Sequence, residues 1–592
     1  MENRLSWILG ISAFYHDASV TLLRDGEILF AASEEIFSRR KHDAGFPKQA
    51  LAAAFDFAGI TAADLSYVGF YEKPLLKFER LLETYLTFAP AGYRSYAAAL
   101  PSWLRTKLHI KREIRKHLPG YDKRIIFCEH HESHAASAFF PSPYREAAIL
   151  TVDGVGEWAS TAWGIGRENK IELRGEQRFP HSLGLLYSAF TSYCGFRVNS
   201  GEYKLMGLAP YGKPVFYDLL CRELLRLRDD GSFQLNMQYF GYCQTLRMTT
   251  PRMVELLGFA PRRPDEPLRD CDRDLAASVQ RLAEEILLRM VTYVQSACGL
   301  RNLVMAGGVA LNCAANSRLL RDAPVDAIWV QPAAGDAGGS LGVAMFIWHQ
   351  LLGMPRVPKG TDAMQQALLG PAVDAASEMP QLLERGAVAR RMQDPDELNQ
   401  YVATLLAEGA VVGWVQGRQE FGPRALGNRS ILADPRRADM QRLLNLKIKN
   451  RESFRPFAPA VLEIRAGDYF ELERRRSSPY MLFTARCLTD DLPAVTHVDH
   501  SSRVQTVCPI LASRFHDLIR AFDELTGCPV LINTSFNVRG EPIVCTAEQA
   551  YRCFLATDMD ALVIDDFLMI NREQPEDLRE TSRRYLLELE SD

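Results

Sequence analysis

Residues 147–154 read Ala-Ala-Ile-Leu-Thr-Val-Asp-Gly, and a second apolar run, Ser-Thr-Ala-Trp-Gly-Ile, follows at 160–165. The pattern predicts a buried strand, an acidic turn and a return strand. The same plan occurs at the start of the chain, where an apolar run at 7–11 precedes two alternating segments joined at Asp25-Gly26, a strong signal for a β-hairpin. The repeat predicts an α/β domain built from two related halves that face a cleft.

Two later strands end on glycine-rich turns that lead into helices. The first turn contains Gly307-Gly308, and the second contains Gly338, two residues after Asp336. Glycine at such a turn lets backbone N–H groups approach an anion at the start of the helix. Gly307, Gly308 and Gly338, with Asn312 just beyond the first turn, are therefore candidate nucleotide-binding residues.

The chain has 592 residues, which is too long for a single hydrophobic core. We expect the duplicated domain to span residues 1–355, and a linker with proline, glycine and mixed polar residues to span 356–393. A second α/β domain is expected at 394–571, followed by a charged tail at 572–592.

The composition is that of an ordinary globular protein, with 47% hydrophobic and 24% charged residues. The net charge of −4 gives no sign of a nucleic-acid surface. No window is long and apolar enough to predict a membrane span. The 12 cysteines contain no Cys-x-x-Cys pair, so we expect reduced thiols and a cytoplasmic location.

His130 and His134 lie four residues apart in a segment that predicts the start of a helix. That spacing places both imidazoles on one helical face, where they can share a metal ion. Two such histidines are more often ordinary surface or core residues. Asp153 and Asp336, each on a glycine turn, complete an N₂O₂ set suited to Fe(II), Mn(II) or Zn(II). Their alternatives are a turn aspartate bonded to its own backbone and a helix N-cap.

Three further residues of the N-terminal domain are candidates for chemistry. His16, at the end of the first strand, is a candidate general base for an acceptor hydroxyl, and Asp17 is its neighbouring carboxylate. A satisfied loop histidine is the alternative for His16. Lys204, in a glycine-rich segment, either binds a phosphate or pairs with Glu202.

Basic residues concentrate in three segments of the second domain, interleaved with glycine, proline and aromatics instead of following helical spacing. Arginine forks bind phosphate or carboxylate in a bidentate manner, and hydroxyl and amide groups complete such a site. Solvated surface charge fits this pattern poorly. The predicted anion or nucleotide ligands are Arg418, Arg424, Arg429, Lys449, Arg451, Arg455, Ser535, Asn537 and Arg539.

Six sequence motifs occur in the same order and with similar spacing as in a known protein family. They are Gly10-Ile-Ser-Ala-Phe-Tyr-His16-Asp17-Ala-Ser19; Ser33-Glu34-Glu35 with Arg40-Lys41-His42-Asp43; His130-His131-Glu-Ser-His134-Ala-Ala; Gly201-Glu202-Tyr-Lys204-Leu-Met-Gly-Leu-Ala-Pro-Tyr-Gly; Gly307-Gly308-Val-Ala-Leu-Asn312; and Arg424-Ala-Leu-Gly-Asn-Arg429-Ser. With them the chain resembles, nearly end to end, the O-carbamoyltransferases of nodulation-factor and antibiotic biosynthesis. Ile36-Phe37-Ser38 and Glu132 depart from the expected pattern without touching the proposed ligands.

The resemblance implies an N-terminal domain of the actin, hexokinase and Hsp70 type and a C-terminal domain similar to threonylcarbamoyl-adenylate synthases. It further implies that the C-terminal domain joins carbamoyl phosphate to ATP, with Mg(II), to give carbamoyl-adenylate and pyrophosphate. The N-terminal domain would pass the carbamoyl group to an acceptor hydroxyl beside an iron-type metal, with His16, Asp17 and Lys41 as catalytic residues.

Three other functions remain open at this point: a tRNA threonylcarbamoyl-type transferase, a sugar-kinase-type phosphotransferase and a nucleotide-dependent scaffold. Net charge disfavours the first. The second leaves the arginine-rich second domain and the histidine pair unexplained, and the four candidate metal ligands together with the second anion site disfavour the third. The acceptor is expected to be a small molecule, such as a natural product or an oligosaccharide, bound by an insertion at about residues 71–121. No nucleic acid or membrane partner is expected, and the sequence does not indicate an oligomeric state.

Overall fold

The computed structural model describes residues 6–449, 451–452, 454–472, 477–510 and 512–588. The chain divides into two compact units. The N-terminal unit comprises Met1–Ala31 and Ala44–Ala363, and the C-terminal unit comprises Ala32–Asp43 and Met364–Asp592. Of the helices in the described ranges, none combines the length and hydropathy needed to cross a bilayer. All 12 cysteines are free thiols.

The first half of the N-terminal unit contains β1 (Trp7–Ser12), β2 (Ser19–Arg24), β3 (Glu27–Ser33), β4 (Tyr67–Phe70) and β5 (Ile125–Phe127). Its helices are α2 (Lys48–Ala58), α3 (Pro74–Phe88), α4 (Tyr93–Arg105), α5 (Ile110–His117) and α6 (His130–Phe139), while α1 (Glu35–Ser38) belongs to the C-terminal unit. The strands form a sheet of order β3-β2-β1-β4-β5. In it, β1 is antiparallel to β2 and parallel to β4.

The second half contains β6 (Glu146–Val152), β7 (Ala159–Arg167), β8 (Lys170–Arg178), β9 (Leu225–Leu227), β10 (Phe233–Leu235), β11 (Asn302–Ala306) and β12 (Ala327–Val330). Its helices are α7 (Leu183–Tyr193), α8 (Glu202–Leu208), α9 (Tyr217–Glu223), α10 (Pro251–Leu257), α11 (Asp270–Cys298), α12 (Cys313–Asp322) and α13 (Gly338–Met345). The main sheet has the order β8-β7-β6-β11-β12, in which β6 is antiparallel to β7 and parallel to β11.

The two sheets share one topology, in which a central first strand is flanked by a hairpin on one side and parallel strands on the other. The duplication predicted from the repeated strand and acidic turn is therefore confirmed, as is the actin, hexokinase and Hsp70 type of architecture. In both sheets, polar residues follow the carboxyl ends of the strands, as they do after β1, β4, β6 and β11. Of the predicted site residues, His16 and Asp17 follow β1, Asp153 follows β6, Gly307 and Gly308 follow β11, and Asp336 follows β12, whereas His130 and His134 lie on α6.

The helices of the C-terminal unit are α14 (Ala375–Glu384), α15 (Pro395–Ala407), α16 (Met440–Leu443), α17 (Ala466–Tyr469), α18 (Ser513–Thr526), α19 (Ala547–Ala556) and α20 (Glu576–Glu588). Its strands are β13 (Arg390–Arg391), β14 (Val412–Val415), β15 (Arg429–Ala433), β16 (Ala458–Leu462), β17 (Phe470–Glu471), β18 (Thr484–Cys487), β19 (Ser501–Arg503), β20 (Gln505–Val507), β21 (Val530–Ser535), β22 (Ala561–Ile564) and β23 (Phe567–Ile570). In the described residues they form one mixed sheet, β13-β23-β22-β14-β15-β21-β16-β20, and a small sheet, β17-β18-β19. The prediction of a second α/β domain is confirmed.

The segment 356–393, expected to be a linker, extends across the boundary between the two units at Ala363/Met364. It includes α14, whose Met379 and Leu382 are buried in the core of the C-terminal unit. At its start, Arg356 is buried against backbone carbonyls of the N-terminal unit. Most of the charged tail forms α20, and its last four residues, 589–592, lie outside the described residues.

Candidate metal centre and anion site

Helix α6 presents His130 and His134 from one face, as the four-residue spacing predicts. The helix begins at His130, where Glu129 and Glu132 form a reciprocal capping box that satisfies the free N–H groups of the first turn. Both imidazoles are completely buried, and their Nε2 atoms lie 3.1 Å apart. Two ring nitrogens that face each other at this distance need either a shared proton or a cation.

Asp153 follows the last residue of β6, and its carboxylate lies beside both histidines. Its Oδ2 is 2.9 Å from Nε2 of His130 and 3.6 Å from Nε2 of His134. Its Oδ1 accepts the backbone N–H of Gly308 at 2.9 Å. Gly307 adopts a φ of 92°, and a Cβ there would lie 2.2 Å from the carbonyl oxygen of Val152. The double glycine thus lets the turn after β11 approach β6 and hold Asp153.

Asp336 lies on the turn before α13 and completes the cluster. Gly342 of α13 packs directly on α6, since a Cβ at this glycine would lie 1.8 Å from the carbonyl oxygen of Ser133. Oδ1 of Asp336 is 3.8 Å from Nε2 of His130 and 3.7 Å from Nε2 of His134. The side chain is 1% exposed, and neither oxygen accepts a hydrogen bond from the described residues.

These four residues fit a divalent metal ion. One ligand atom from each lies within 4.8 Å of the others. Ligands bonded at about 2.1 Å in tetrahedral or octahedral geometry lie roughly 3.0–3.4 Å apart, close to the separations observed here. Burial of two carboxylates is strongly unfavourable unless positive charge, from a bound cation or from protonated histidines, compensates them. The Nδ1 atoms of both histidines lack an acceptor in the described residues, so the usual supporting hydrogen bond is not part of this set.

His16 adjoins the cluster. Its Nδ1 is 2.9 Å from Oδ2 of Asp17, and its Nε2 is 3.7 Å from Oδ2 of Asp336. Burial acts to lower the pKa of His16, but the carboxylates of Asp336 and Asp17 outweigh burial and raise this pKa to about 9. The pKa of His134 is raised to about 9 in the same way, against burial, by Asp153 and Asp336. A dication among the carboxylates would lower the pKa of His16 toward its ordinary range, where the imidazole can accept a proton.

The carboxylates themselves have lowered pKa values. Burial acts to raise the pKa of Asp153, but contacts with His130 and His134 hold it well below its usual value. The pKa of Asp336 is also lowered against burial, by the charge of His16 and the two helix histidines. Both side chains are therefore ionised at neutral pH and available as metal ligands.

Sequence reasoning missed two residues that position this centre. Glu157 accepts the backbone N–H of His130 at 3.1 Å and that of Lys73 at 2.7 Å. His131 contacts Thr151 Oγ1 at 2.7 Å and the carbonyl of Ala159 at 3.0 Å, and its burial lowers its pKa to about 3. A glutamate just after the Asp153 turn was the only available signal for the first role.

The other predicted N-terminal ligands are distributed around the second sheet. Asn312 caps α12 by accepting the N–H of Ala315 and forms a paired amide contact with Gln280 at 3.0 and 3.1 Å. A Cβ at Gly338 would lie 2.1 Å from the carbonyl of Ala333, so this glycine permits a close backbone approach. Lys204 is buried on α8. A nucleotide role for these residues stays a prediction.

In the C-terminal unit, Lys449, Ser535 and Asn537 come together as predicted. Lys449 Nζ donates to the backbone carbonyl of Ser535, and it lies 3.0 Å from both the carbonyl and the side-chain oxygen of Asn537. Ser535 Oγ donates to Asn537 Oδ1 at 2.7 Å. Burial, together with nearby Arg451, keeps the pKa of Lys449 well below its ordinary value.

Further cations surround Lys449. Arg455 and Lys41 also lower its pKa, so both lie close enough to act electrostatically. Arg451 donates from Nε to Asn445 Oδ1 at 2.6 Å. The cluster defined by Lys41, Lys449, Arg451, Arg455, Ser535 and Asn537 is called the basic cluster below. Arg539 lies at its margin, 3.9 Å from the carboxylate of Glu452.

Two predicted anion ligands have their guanidinium groups directed to the backbone. Arg429 is fully buried and donates to the carbonyls of Gln416, Gly417, Asn428 and Cys545. Arg418 donates from Nε to the carbonyl of Gly370 at 2.9 Å and also to Leu369. Buried Glu420 accepts three backbone N–H groups of the same loop. These contacts hold the loop together, and Arg424 lies within it.

The chain matches one protein family in both units. Residues 7–345 match the family described as Carbamoyltransferase N-terminus, and residues 403–571 match Carbamoyltransferase C-terminus. An uncharacterised protein of Synechocystis sp. is 51% identical, covering 99% of this chain and 100% of that protein. The nodulation protein NolNO of Sinorhizobium fredii is 36% identical, covering 96% of this chain and 81% of the relative.

Two solved structures serve as examples of a distant resemblance to the chain. Component A of the (R)-2-hydroxyglutaryl-CoA dehydratase of Acidaminococcus fermentans is 13% identical with a TM-score of 0.33, covering 59% of this chain and 99% of that one. The ROK hexokinase of Thermus thermophilus is 12% identical with a TM-score of 0.25, covering 57% and 98%. At these scores the likeness adds nothing to the topology described above. The two family matches, in contrast, together extend over most of the sequence. The chain therefore belongs to the carbamoyltransferase family of enzymes.

Proposed function

We propose that this carbamoyltransferase moves a carbamoyl group to a hydroxyl of a small-molecule acceptor in two half-reactions, one in each unit. In the C-terminal unit, water first hydrolyses carbamoyl phosphate to carbamate and phosphate, and a carbamate oxygen then attacks the α-phosphorus of ATP, so that carbamoyl-adenylate forms and pyrophosphate leaves. The acceptor oxygen then attacks the carbamoyl carbon in the N-terminal unit, and AMP leaves. The observation that carries the proposal is the buried set of two imidazoles and two carboxylates in a chain of this family.

In the N-terminal unit, four residues would hold the metal ion, and a fifth would accept the proton of the acceptor hydroxyl. His130, His134, Asp153 and Asp336 would hold the ion, for which Fe(II) is the first candidate and Mn(II) or Zn(II) the alternatives. When bound, such an ion supplies Lewis acidity toward carbonyl and phosphate oxygens. His16 lies at the edge of the cluster, where Nε2 is suited to take the hydroxyl proton, and Asp17 orients its ring through Nδ1.

In the C-terminal unit, the basic cluster is suited to bind two phosphorylated substrates. Arg451 and Arg455 concentrate positive charge beside Lys449, and Ser535 and Asn537 add polar groups of the kind that complete a phosphate site. Attachment of the carbamoyl group to AMP provides a good leaving group, which makes a poor electrophile reactive. ATP would enter with Mg(II).

The experiment separates the two half-reactions in the full-length enzyme. His130→Ala and Asp336→Ala should abolish transfer, read as the mass gain of one carbamoyl group on a panel of hydroxyl compounds. Both variants should retain carbamoyl-phosphate-dependent release of pyrophosphate. Arg451→Ala and Asn537→Ala should lose that release, while the exposed changes His109→Ala and Arg390→Ala serve as matched controls. Equal loss of both half-reactions in all four folded variants would contradict the division.

The partners follow from the same chemistry. The acceptor is a hydroxylated natural product or oligosaccharide, and no nucleic acid or membrane is required. A cytoplasmic location is proposed because both ATP and reduced thiols are expected there. A tRNA substrate would require a basic surface, and a mobility-shift assay with tRNA at varied salt tests that alternative.

A further inference from the structure

Three cations lie beside Tyr15, next to the metal centre. Lys77 Nζ is 4.5 Å from the centre of the Tyr15 ring, and Lys107 Nζ is 5.8 Å from the same centre. Arg80, one turn after Lys77 on α3, acts electrostatically on both Lys77 and Tyr15. All three come from the insert of residues 74–117, which forms α3, α4 and α5. We call them the insert cations.

The topology places the insert cations near the reacting groups. The insert leaves the first sheet at the end of β4, which is parallel to and in register with β1. Tyr15 follows β1, and its ring centre is 4.4 Å from that of His16. Tyr71, at the entry to the insert, has its ring centre 5.6 Å from that of His130. A molecule held by these cations would therefore lie beside the proposed acceptor hydroxyl position.

The positive charge of this group is only partly compensated inside the protein. Lys77 pairs with Glu72 at 2.6 Å, and both side chains are buried. Arg80 and Lys107 form no ion pair within the described residues. Nearby Glu157 is directed instead to the backbone N–H groups of His130 and Lys73. Two cations without a direct counter-charge are thus left at one end of the cluster.

Arg80 and Lys107 are also partly removed from water. The Nε of Arg80 is buried and has no hydrogen-bond partner in the described residues, and its guanidinium lies 4.9 Å from the centre of the Phe179 ring. Lys107 lies 5.2 Å from the centre of the Trp103 ring. Burial lowers the pKa of both cations. Such groups are unfavourable unless an anion binds them.

The same region is accessible to a ligand. Tyr15 is 40% exposed although it lies among Lys77, Lys107 and His16. A partly exposed aromatic ring that is flanked by cations suits a polyhydroxylated molecule that also carries negative charge. Neutral acceptors would leave Arg80 and Lys107 without partners. Anionic acceptors would compensate them.

We propose that Lys77, Arg80 and Lys107 form an acceptor subsite for an anionic group, so that the acceptor is a hydroxylated phosphate or carboxylate, such as a sugar phosphate or a sugar acid. This inference rests on the proposed function, because it assigns the acceptor of the same N-terminal site. The cations bind the anion and hold the acceptor, while its hydroxyl lies toward His16.

The test uses the full-length protein and three probes that differ in charge: glucose 6-phosphate, glucuronate and glucose. Saturation-transfer NMR should detect one or both anions binding at least tenfold more tightly than glucose. Arg80→Gln and Lys107→Gln should each weaken that binding by about ten- to a hundredfold, the effect of losing one charged hydrogen bond. Exposed Arg112→Gln on α5 is the matched control and should bind as the unchanged protein does. Thermal unfolding of each variant verifies its fold.

The outcomes separate this inference from the proposed function. Equal binding of all three probes, or no binding, overturns the subsite, as does anion binding that survives both substitutions. A fall in pyrophosphate release in Arg80→Gln would assign the cations to carbamoyl phosphate and also overturn the inference. Another outcome is anion binding that depends on Arg80 and Lys107 while no probe is carbamoylated. This result supports the subsite and counts against the proposed function alone. The phosphate and carboxylate probes identify which anion is preferred.

Discussion

Both carboxylate oxygens of Asp336 are buried, and neither accepts a hydrogen bond within the described residues. Asp153 differs, because one of its oxygens accepts the N–H of Gly308 while the other faces the histidines. Asp336 therefore depends more on an external cation for compensation than Asp153 does. This difference makes Asp336 a sensitive position for testing the proposed metal centre.

Asp336→Asn keeps the size of the side chain and removes its charge. We expect the affinity for Fe(II), Mn(II) and Zn(II) to fall by at least about a hundredfold, since loss of even a supporting group costs 10- to 100-fold. Competition with a colorimetric chelator measures the affinity without requiring activity. Asp326→Asn changes an exposed carboxylate of the same unit and should bind metal normally. Unaltered metal affinity in Asp336→Asn would remove this residue from the centre.

The sequence predicted which side chains come together where spacing or turn chemistry constrains them, and their role as metal ligands stays a prediction. His130 and His134 follow from one helical turn, and Asp153 and Asp336 from acidic turns at strand ends. The support by Gly308 and Glu157 was not predictable, because it depends on contacts between segments far apart in the sequence. For the same reason, arginine-rich composition did not reveal that the guanidinium of Arg429 is enclosed by backbone carbonyls.

Helix α6 carries both histidines, and its carboxyl end is held from a distant segment. Arg356 donates to the carbonyls of Phe139 and Phe140 at 3.0 and 2.7 Å, and also to those of Ser142 and Tyr144. The last carbonyls of a helix have no partner within the helix, so this arginine acts as its cap. The carboxyl end of α6, the helix that carries both histidines, is thus held by a residue that composition assigned to a linker.

Arg356→Lys keeps one positive charge but loses the planar fork that reaches several carbonyls. Several buried carbonyls would lose their donor, so we expect the free energy of unfolding to fall by roughly 2–4 kcal/mol. Urea denaturation compared with Arg145→Lys, at a largely exposed position, measures the effect. Equal stability of the two variants would show that Arg356 does not anchor the helix.

His349 makes the stability of the same region dependent on pH. Burial lowers its pKa to about 4, and its ring packs 4.7 Å from that of Phe140. The unfolded chain binds this proton near pH 6.5, so it binds more protons than the folded state between pH 6.5 and 4. His349 therefore costs stability as pH falls through this window, by up to about 3 kcal/mol.

The measurement is denaturation at pH 7, 5.5 and 4.5, with His349→Gln compared with the unchanged protein. The variant should lose less stability on acidification, because its side chain does not titrate. Parallel pH profiles for the two proteins would exclude His349 as a source of acid sensitivity. The slope is compared, not the absolute stability, since the substitution itself also alters packing.

Across the whole molecule, the repeated strand and acidic turn predicted the duplicated sheet correctly because both depend on local patterns. The boundaries were harder to predict. Composition assigns residues 32–43 to the first domain, yet this segment packs with the C-terminal unit. Long-range side-chain contacts decide this placement, and the hydropathy of a segment does not predict such contacts. Lys41 thereby joins the basic cluster although it is far from Lys449 in the sequence.

Arg39 attaches this segment to the C-terminal unit. It pairs with buried Glu541 at 3.0 Å and donates to the carbonyls of Pro542 and Ile543, both at 2.7 Å. Arg39→Gln leaves Glu541 as an uncompensated buried charge, so we expect a loss of roughly 3–5 kcal/mol in the free energy of unfolding. Pyrophosphate release should also fall, because Lys41 lies only two residues away.

Exposed Arg40→Gln is the control, and Glu541→Gln added to Arg39→Gln should recover part of the stability. If the double variant is as unstable as the sum of the single variants, the two residues act independently and the pair does not anchor the segment.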